Sequence, residues 1–283
     1  MIYQRIIENK NGTVQLTELG NIISKLRLSL LSNKFLLDVI KYEPEYMWYY
    51  ALLIVCWTDL TEPLLYRAKP RYKEDEDKFR ERVCILVDKH KKYKVGVDCL
   101  SEYLAICDDQ LIIKNGNYVS VEVNKGTASE SGMNFRALLT LKKLINFTAI
   151  TLHEHGFDIK RTKLIDSDEI RARFSHYLYN SRMERLYRIS FIDHSNLRMD
   201  NKSNFKIDQV IDRSGYIFAL NEFSTGKLSI LSKVIEFRKP ILSEKVRICL
   251  HVETGINVDL WENCIFPLLN DIEICRVISA LKT

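Results

Sequence analysis

The sequence predicts an α+β protein: a helical N-terminal part, roughly residues 1–180, then a β-rich part, roughly 183–255, folded as a small antiparallel barrel or sandwich. Three observations carry this. The apolar period changes from 3.6 to 2 near Tyr187. A hydrophobic content of 46% is enough for a sizeable core. Ten glycines and five prolines in 283 residues leave little material for flexible linkers, and at about 150 residues per domain two domains are expected.

The elements follow in order. A turn at Asn9–Gly12 precedes TVQLTELG, a short strand entering a helix near Thr17. Residues 33–65 read as helical: Leu36, Leu37 and Ile40, then Tyr46, Tyr49, Tyr50, Leu53 and Trp57, recur at helical spacing. Pro44 separates two helices, because it cannot continue the first without losing a hydrogen bond. In the next segment, Phe79, Val83, Leu86, Val87 and Tyr93 mark the stripe of an amphipathic helix, and Glu74–Asp77 suits its N-terminus. A helical block covers Ser101–Cys107 and then 133–155, with a hairpin-like or loose insertion, NGNYVSVEVNKGTASESG, between. The 133–155 helix sets Phe135, Leu138, Leu139, Leu144, Ile145, Ala149 and Leu152 on one side, with Lys142 and Lys143 opposite and Gly156 at its end. Ser167-Asp168-Glu169 caps a further helix, DEIRARFSHYL. Strands are expected at Tyr187–Phe191, Phe205–Ile207, Tyr216–Leu220, Leu228–Ile235 and Val246–Val252, separated by the polar turns Asp193–Asn196, Asn201–Asn204 and Asp212–Gly215. Helical or coil residues close the chain.

Charge is unevenly placed. The formal net charge is +5, from 42 basic and 37 acidic side chains. Residues 67–94 hold eleven Lys/Arg and six Asp/Glu, a net of +5, so the remainder balances at 31 and 31. Two readings stay open for this segment: a solvated helix face, or a patch facing nucleic acid.

Several chemistries are excluded. There is no G-x-x-x-x-G-K-[ST] loop, no G-x-G-x-x-G after a strand, no G-x-S-x-G and no H-E-x-x-H. His153 and His155, two apart at a helix end, point to different faces. Glu74–Asp77 lacks the glycine and alternating spacing of a calcium loop. No catalytic residue, metal site or cofactor is therefore expected. The seven cysteines are odd in number with no CxxC pair, against a zinc ribbon or an oxidised framework. The longest apolar run, Met47–Trp57, is far short of the roughly 20 residues that span a bilayer. With no signal-like N-terminal stretch, these features suggest an intracellular protein, cytoplasmic or nuclear, with no membrane partner.

The order of motifs resembles the C-terminal accessory region of DEAH/RHA-type RNA helicases. LTELG (Leu16–Gly20) resembles the LTxLG that opens the family's helical ratchet bundle. LRLSLLSNKFLL (Leu26–Leu37) stands where the family has L-P-x-x-P-x-x-x-K-x-L, with Lys34 in register and the prolines replaced by Arg27 and Leu30. ALLIVCWTDLTEPLL (Ala51–Leu65) looks like the apolar helix that ends before P-[FL], and Asp98 in VDCLSEYL resembles S-D-H-x-T-L-L. MNFRALLTLKKLINFTAITLHEHGF and DEIRARFSHYLYNSRMERL are similar to the last bundle helices, with His176 at a family glycine. YIFALNEFSTGK, with Thr225 and Lys227, resembles the Y-x-E-x-x-x-T-x-K strand of the OB-fold, and KIDQ (Lys206–Gln209) replaces H-P-S-S. The resemblance covers about residues 12–240.

It implies a winged-helix remnant at 1–32, a helical ratchet-like bundle at 33–182, and an OB-like barrel with a C-terminal extension at 183–283. Both RecA motor lobes are absent, with their P-loop, D-E-x-[HD] and Q-R-x-G-R-x-G-R motifs, so phosphoryl transfer by that route lacks its parts. The implied function is an accessory module for single-stranded RNA or DNA, as the C-terminal part of a split or larger helicase whose motor subunit would be a partner. Candidate phosphate contacts are Lys91, Lys92 and Lys94, then Lys142 and Lys143, then Lys206, Lys227 and Lys233. Two alternatives remain: a structural or interaction protein that keeps this fold without nucleic-acid handling, and an enzyme of another type.

Overall fold

The computed structural model describes residues 7–10, 12–66, 68–94, 98–114, 116, 118–162, 165–182, 185–193, 196–198, 205–207, 215–224 and 229–281. The chain is α+β and mainly helical. It divides into two compact units interleaved in sequence. Unit 1 takes Met1–Asn33, Leu52–Lys94 and Ala105–Arg161; unit 2 takes Lys34–Ala51, Val95–Leu104 and Thr162–Thr283.

Unit 1 opens on a hairpin, β1 (Ile7–Lys10) with β2 (Thr13–Leu16), turned at Gly12, whose φ of +80° suits glycine. Thr17 then caps α1 (Glu18–Lys25), its hydroxyl accepting from the Gly20 N–H at 3.0 Å. Arg27, at the first lost proline, lies 4.6 Å above the Phe147 ring. Helices α2 (Leu30–Tyr42) and α3 (Glu45–Asp59) flank Pro44 as expected and contribute residues to both units. From Leu52 to Cys56, α3 is buried on every side, which matches a sequence without a polar face. Helix α4 (Glu76–His90) follows, then α5 (Cys99–Gln110), which also contributes residues to both units. The insertion is a true hairpin, β3 (Leu111–Lys114) with β4 (Ser120–Val123), followed by a helix the sequence did not announce, α6 (Lys125–Glu130). The long helix α7 (Phe135–Glu154) holds this hairpin: the Asn146 side chain bonds both the N–H (2.7 Å) and the C=O (2.9 Å) of Val121. Gly156, at φ +86°, ends α7.

Unit 2 centres on α8 (Ser167–Arg182) and a five-stranded sheet. The cap of α8 falls one residue earlier than expected, because Asp166 Oδ1 accepts from the Asp168 N–H at 3.2 Å. The strands are β5 (Leu186–Asp193), β6 (Asn196–Arg198), β7 (Phe205–Ile207), β8 (Gly215–Ser224) and β9 (Ser229–Glu236), in the order β6-β5-β8-β9-β7. The expected barrel is not formed among the described residues. β7 pairs with β9 in parallel, and the edge strands β6 and β7, three residues each, approach without sharing a ladder. Ile217, Ala219, Leu231 and Val234 form one buried apolar cluster of the sheet. The switch of period at Tyr187 therefore marks real strands, whereas closure does not follow from it.

The expected strand at Val246–Val252 is instead helix α9 (Glu244–Thr254). Ser243 caps it, accepting from the Val246 N–H at 3.3 Å, and Gly255 ends it at φ +69°. The alternation misled because Val246 and Leu250 are also four apart. They are buried, while Ile248 and Val252 face solvent. Helix α10 (Asp271–Ser279), with an Asn270/Glu273 capping box, closes the chain.

Two buried polar clusters hold unit 2. Asp98 Oδ2 accepts from Arg171 Nε at 2.7 Å and from the Glu236 N–H at 2.9 Å; its Oδ1 accepts from Arg171 Nη2 at 2.7 Å. This joins the start of α5, α8 and the end of β9. Elsewhere Glu43, fully buried, accepts from the Tyr177 hydroxyl at 2.9 Å and faces Arg173 at 3.4 Å. The Ser243 hydroxyl donates to the Tyr42 carbonyl at 2.7 Å, tying α9 to α2.

Candidate nucleic-acid interface

The segment that carries the excess charge belongs to unit 1 and is anchored at both ends. Its entry is fixed by an isolated bridge between Leu65 and Met133 and by the Tyr66 N–H donating to the Gly132 carbonyl at 3.1 Å. Gly132 is required there: its φ is +68°, and a Cβ would lie 2.7 Å from Leu86 Cδ1. The buried His90 ring also meets the Gly132 carbonyl, through Nε2 at 3.0 Å, so the end of α4 is held against the same turn.

Between these anchors lies the turn Arg71–Glu74, closed by the Glu74 N–H donating to the Arg71 carbonyl at 3.0 Å. The Glu74 carboxylate accepts from the Arg71 N–H at 2.9 Å and from Arg82 through Nε (2.7 Å) and Nη2 (2.5 Å). These bonds, Arg82 first, hold the Glu74 pKa down at about 2. Arg82 Nη2 also donates to the Lys69 carbonyl at 3.0 Å. Asp75 then caps α4, with Glu76 and Asp77 in its first turn, as the dipole favours.

The expected stripe on α4 is borne out at Phe79, Val83 and Leu86, which are half-buried, while Val87 is exposed. Phe79, Val83, Leu86 and His90 follow i, i+4, i+7, i+11; Val87, at i+8, turns off that line.

The structure places the eight candidate lysines unevenly. Lys91 and Lys92 lie in a 3₁₀ turn and are ion-paired, Lys91 with Asp88 at 2.5 Å and Lys92 with Asp109 at 2.9 Å. Asp109 also accepts from the buried Tyr93 hydroxyl at 2.5 Å. Burial opposes the charge on Asp109, but the bonds from Tyr93 and Lys92 outweigh it and lower its pKa. Lys94 is exposed and has no carboxylate partner among the described residues. Lys142 is half-buried and shares Glu122 with Lys114, and the two lysines hold the Glu122 pKa near 2. Lys143 is exposed. Lys233 is half-buried in β9 of unit 2, with a φ of +54°. Lys206 lies in β7, with its side chain outside what is described, and Lys227 and Thr225 lie outside the described residues.

The exposed cations of residues 67–94 whose side chains form no ion pair among the described residues are Lys69, Arg71, Lys73, Lys78, Lys89 and Lys94. Lys78 and Lys89 are eleven residues apart, about three helical turns, so they share a face of α4. The signal for Lys69, Arg71 and Lys73 was in YRAKPRYK (Tyr66–Lys73), which sets two tyrosines among four basic residues.

No protein-family model matches this chain, and none of the curated proteins is significantly similar to it. Among the described residues, no three His, Cys, Asp or Glu side chains are grouped to hold a metal ion, and no helix is long and apolar enough to cross a membrane.

Proposed function

We propose that this chain is an accessory module that handles single-stranded nucleic acid, of the kind attached to DEAH/RHA-type RNA helicases, acting inside the cell beside a motor subunit. One observation carries the reading. The whole net charge falls on residues 67–94, and the cations there that form no ion pair among the described residues are exposed. Such cations contact phosphates irrespective of sequence. The ordered motif resemblance supports the helicase association.

The test is binding of a labelled single strand across a salt series. Affinity is expected to fall with salt, with a log–log slope of roughly −0.7 per phosphate contacted. Replacing Lys78, Lys89 and Lys94 with alanine is expected to flatten that slope. Replacing Lys91 and Lys92 is expected to change it less, because Asp88 and Asp109 already neutralise them. Equal slopes for wild type and the Lys78, Lys89 and Lys94 variant would move the site elsewhere, and no binding at low salt would refute the reading. The isolated chain is also expected not to hydrolyse ATP, since it has neither the phosphate loop nor the magnesium carboxylate. Turnover above background in a preparation free of contaminating ATPase would contradict this.

A second reading, an interaction protein, is favoured by the exposed apolar side chains Ile248, Val252, Leu260 and Leu268 near the C-terminus. It predicts no nucleic-acid binding in the same salt series.

A further inference from the structure

Tyr72 is 91% exposed, more than any other large apolar side chain that faces solvent among the described residues. An aromatic ring left in water forgoes a large burial gain, so what holds it there matters. The Arg71–Glu74 turn does so. The Glu74 carboxylate bridges the Arg71 N–H and the Arg82 guanidinium, and Arg82 in turn grips the Lys69 carbonyl. Pro70 restricts the backbone on either side of that carbonyl. Lys73 adopts φ +54°, a left-handed conformation that a lysine enters only when its surroundings impose it. The turn's one carboxylate is consumed inside the scaffold. Tyr72 and the cations Lys69, Arg71 and Lys73 are left on the outside, with Lys73 Nζ 5.4 Å from the ring centroid.

We propose that this turn is a stacking site: Tyr72 takes the face of an unpaired base, and Lys69, Arg71 and Lys73 meet the phosphates beside it. The site rests on the nucleic-acid reading above and adds to it a base-dependent contact. A tyrosine face accepts any base, so the site reads single-strandedness rather than sequence. A duplex, whose bases are already stacked on one another, offers no free face. Lys73 beside the ring serves both tasks, as a cation against the π face and as a phosphate partner.

The experiment uses the full chain and fluorescein-labelled oligouridylate, intact or with abasic sites, read by anisotropy at two salt concentrations. Tyr72→Ala is expected to weaken binding of the intact strand roughly 5- to 150-fold, the range for one base stacked on an aromatic ring. The salt slope should stay unchanged. Tyr72→Phe should bind as wild type does. The abasic strand should bind wild type as weakly as the intact strand binds Tyr72→Ala, and Tyr72→Ala should no longer separate the two strands. The triple change Lys69→Ala, Arg71→Ala, Lys73→Ala should instead flatten the slope. Glu74→Ala separates presentation from charge. It removes a negative charge, so a purely electrostatic patch would bind more tightly. A ring that needs its turn would lose discrimination between intact and abasic strands. Wild-type binding with Tyr72→Ala indistinguishable from it would overturn the stacking site and leave the electrostatic reading standing. Unchanged discrimination in Glu74→Ala would overturn the role of the turn. Absence of any wild-type binding at low salt would overturn both the site and the reading beneath it.

Discussion

Asp98→Ala is expected to destabilise the protein by about 3–5 kcal/mol, the cost of leaving a buried charge without its partner. The Asp98 side chain is fully buried and Arg171 is 2% exposed. Burial opposes the charge on Arg171, but the Asp98 hydrogen bonds and charge outweigh it and hold its pKa up. Removing the carboxylate strands the guanidinium in a dry site and leaves the Glu236 N–H without its acceptor. Asp168, which also meets Arg171, is largely solvated and cannot replace Asp98. At roughly 2–4 °C per kcal/mol for a chain of this size, the melting temperature should fall by about 6–20 °C. Arg171→Met, with Asp98 kept, should cost a similar amount, and the double change Asp98→Leu, Arg171→Met less than the sum. Additive losses would show that the two residues do not act as a pair.

Acid should weaken the fold through His176. Its ring is buried against Tyr177, centroids 3.8 Å apart, and neither nitrogen has a partner among the described residues. Burial pushes its pKa down from 6.5 to about 3. Between those values the unfolded chain holds a proton that the folded chain refuses, so stability falls as pH falls. The contribution is intact above pH 6.5, and by pH 4 the loss from this group is about 3 kcal/mol, given a folded pKa of about 3. His176→Phe keeps the ring contact and removes both nitrogens. It should raise neutral stability by about 1–3 kcal/mol and flatten the acid limb in urea titrations at pH 7, 5 and 4. Identical acid limbs in the two proteins would refute the assignment. Glu43 works in the opposite sense. Burial, against the bonds from Tyr177 and Arg173, raises its pKa, so its penalty is relieved as pH falls from the raised folded value toward 4.5. Glu43→Gln should therefore steepen the acid loss.

Much of the fold was legible because local rules and burial agreed. Pro44, the Thr17 cap, Gly156 and the alternation after Tyr187 each carry one dominant cause. Val246–Val252 was misread because residues at every second position also contain a pair four apart, and only the Ser243 cap and Gly255 stop separate helix from strand. Closure of the sheet depends on partners distant in sequence, which no local period encodes. The candidate site was legible in its charge but not in its geometry. Lys91 and Lys92 look like Lys94 in sequence, yet Asp88 and Asp109 neutralise the first two. Lys92 meets an acid seventeen residues away across the fold, which spacing does not announce. Tyr72 stands out only once its exposure is known.

The interleaving of the two units has a consequence for the order of synthesis. Glu43 and Asp98 leave the ribosome long before the groups that bury them. Glu43 waits for Tyr177, 134 residues later, and Asp98 for Arg171, 73 residues later. At about 5–20 residues per second, Glu43 spends roughly 7 to 27 s in water as an ordinary solvated carboxylate. Residues 34–51, which bury Phe35, Leu36, Val39, Ile40 and Met47 in the folded protein, emerge early and stay exposed over the same interval, so the nascent chain carries its aggregation risk there until α8 arrives.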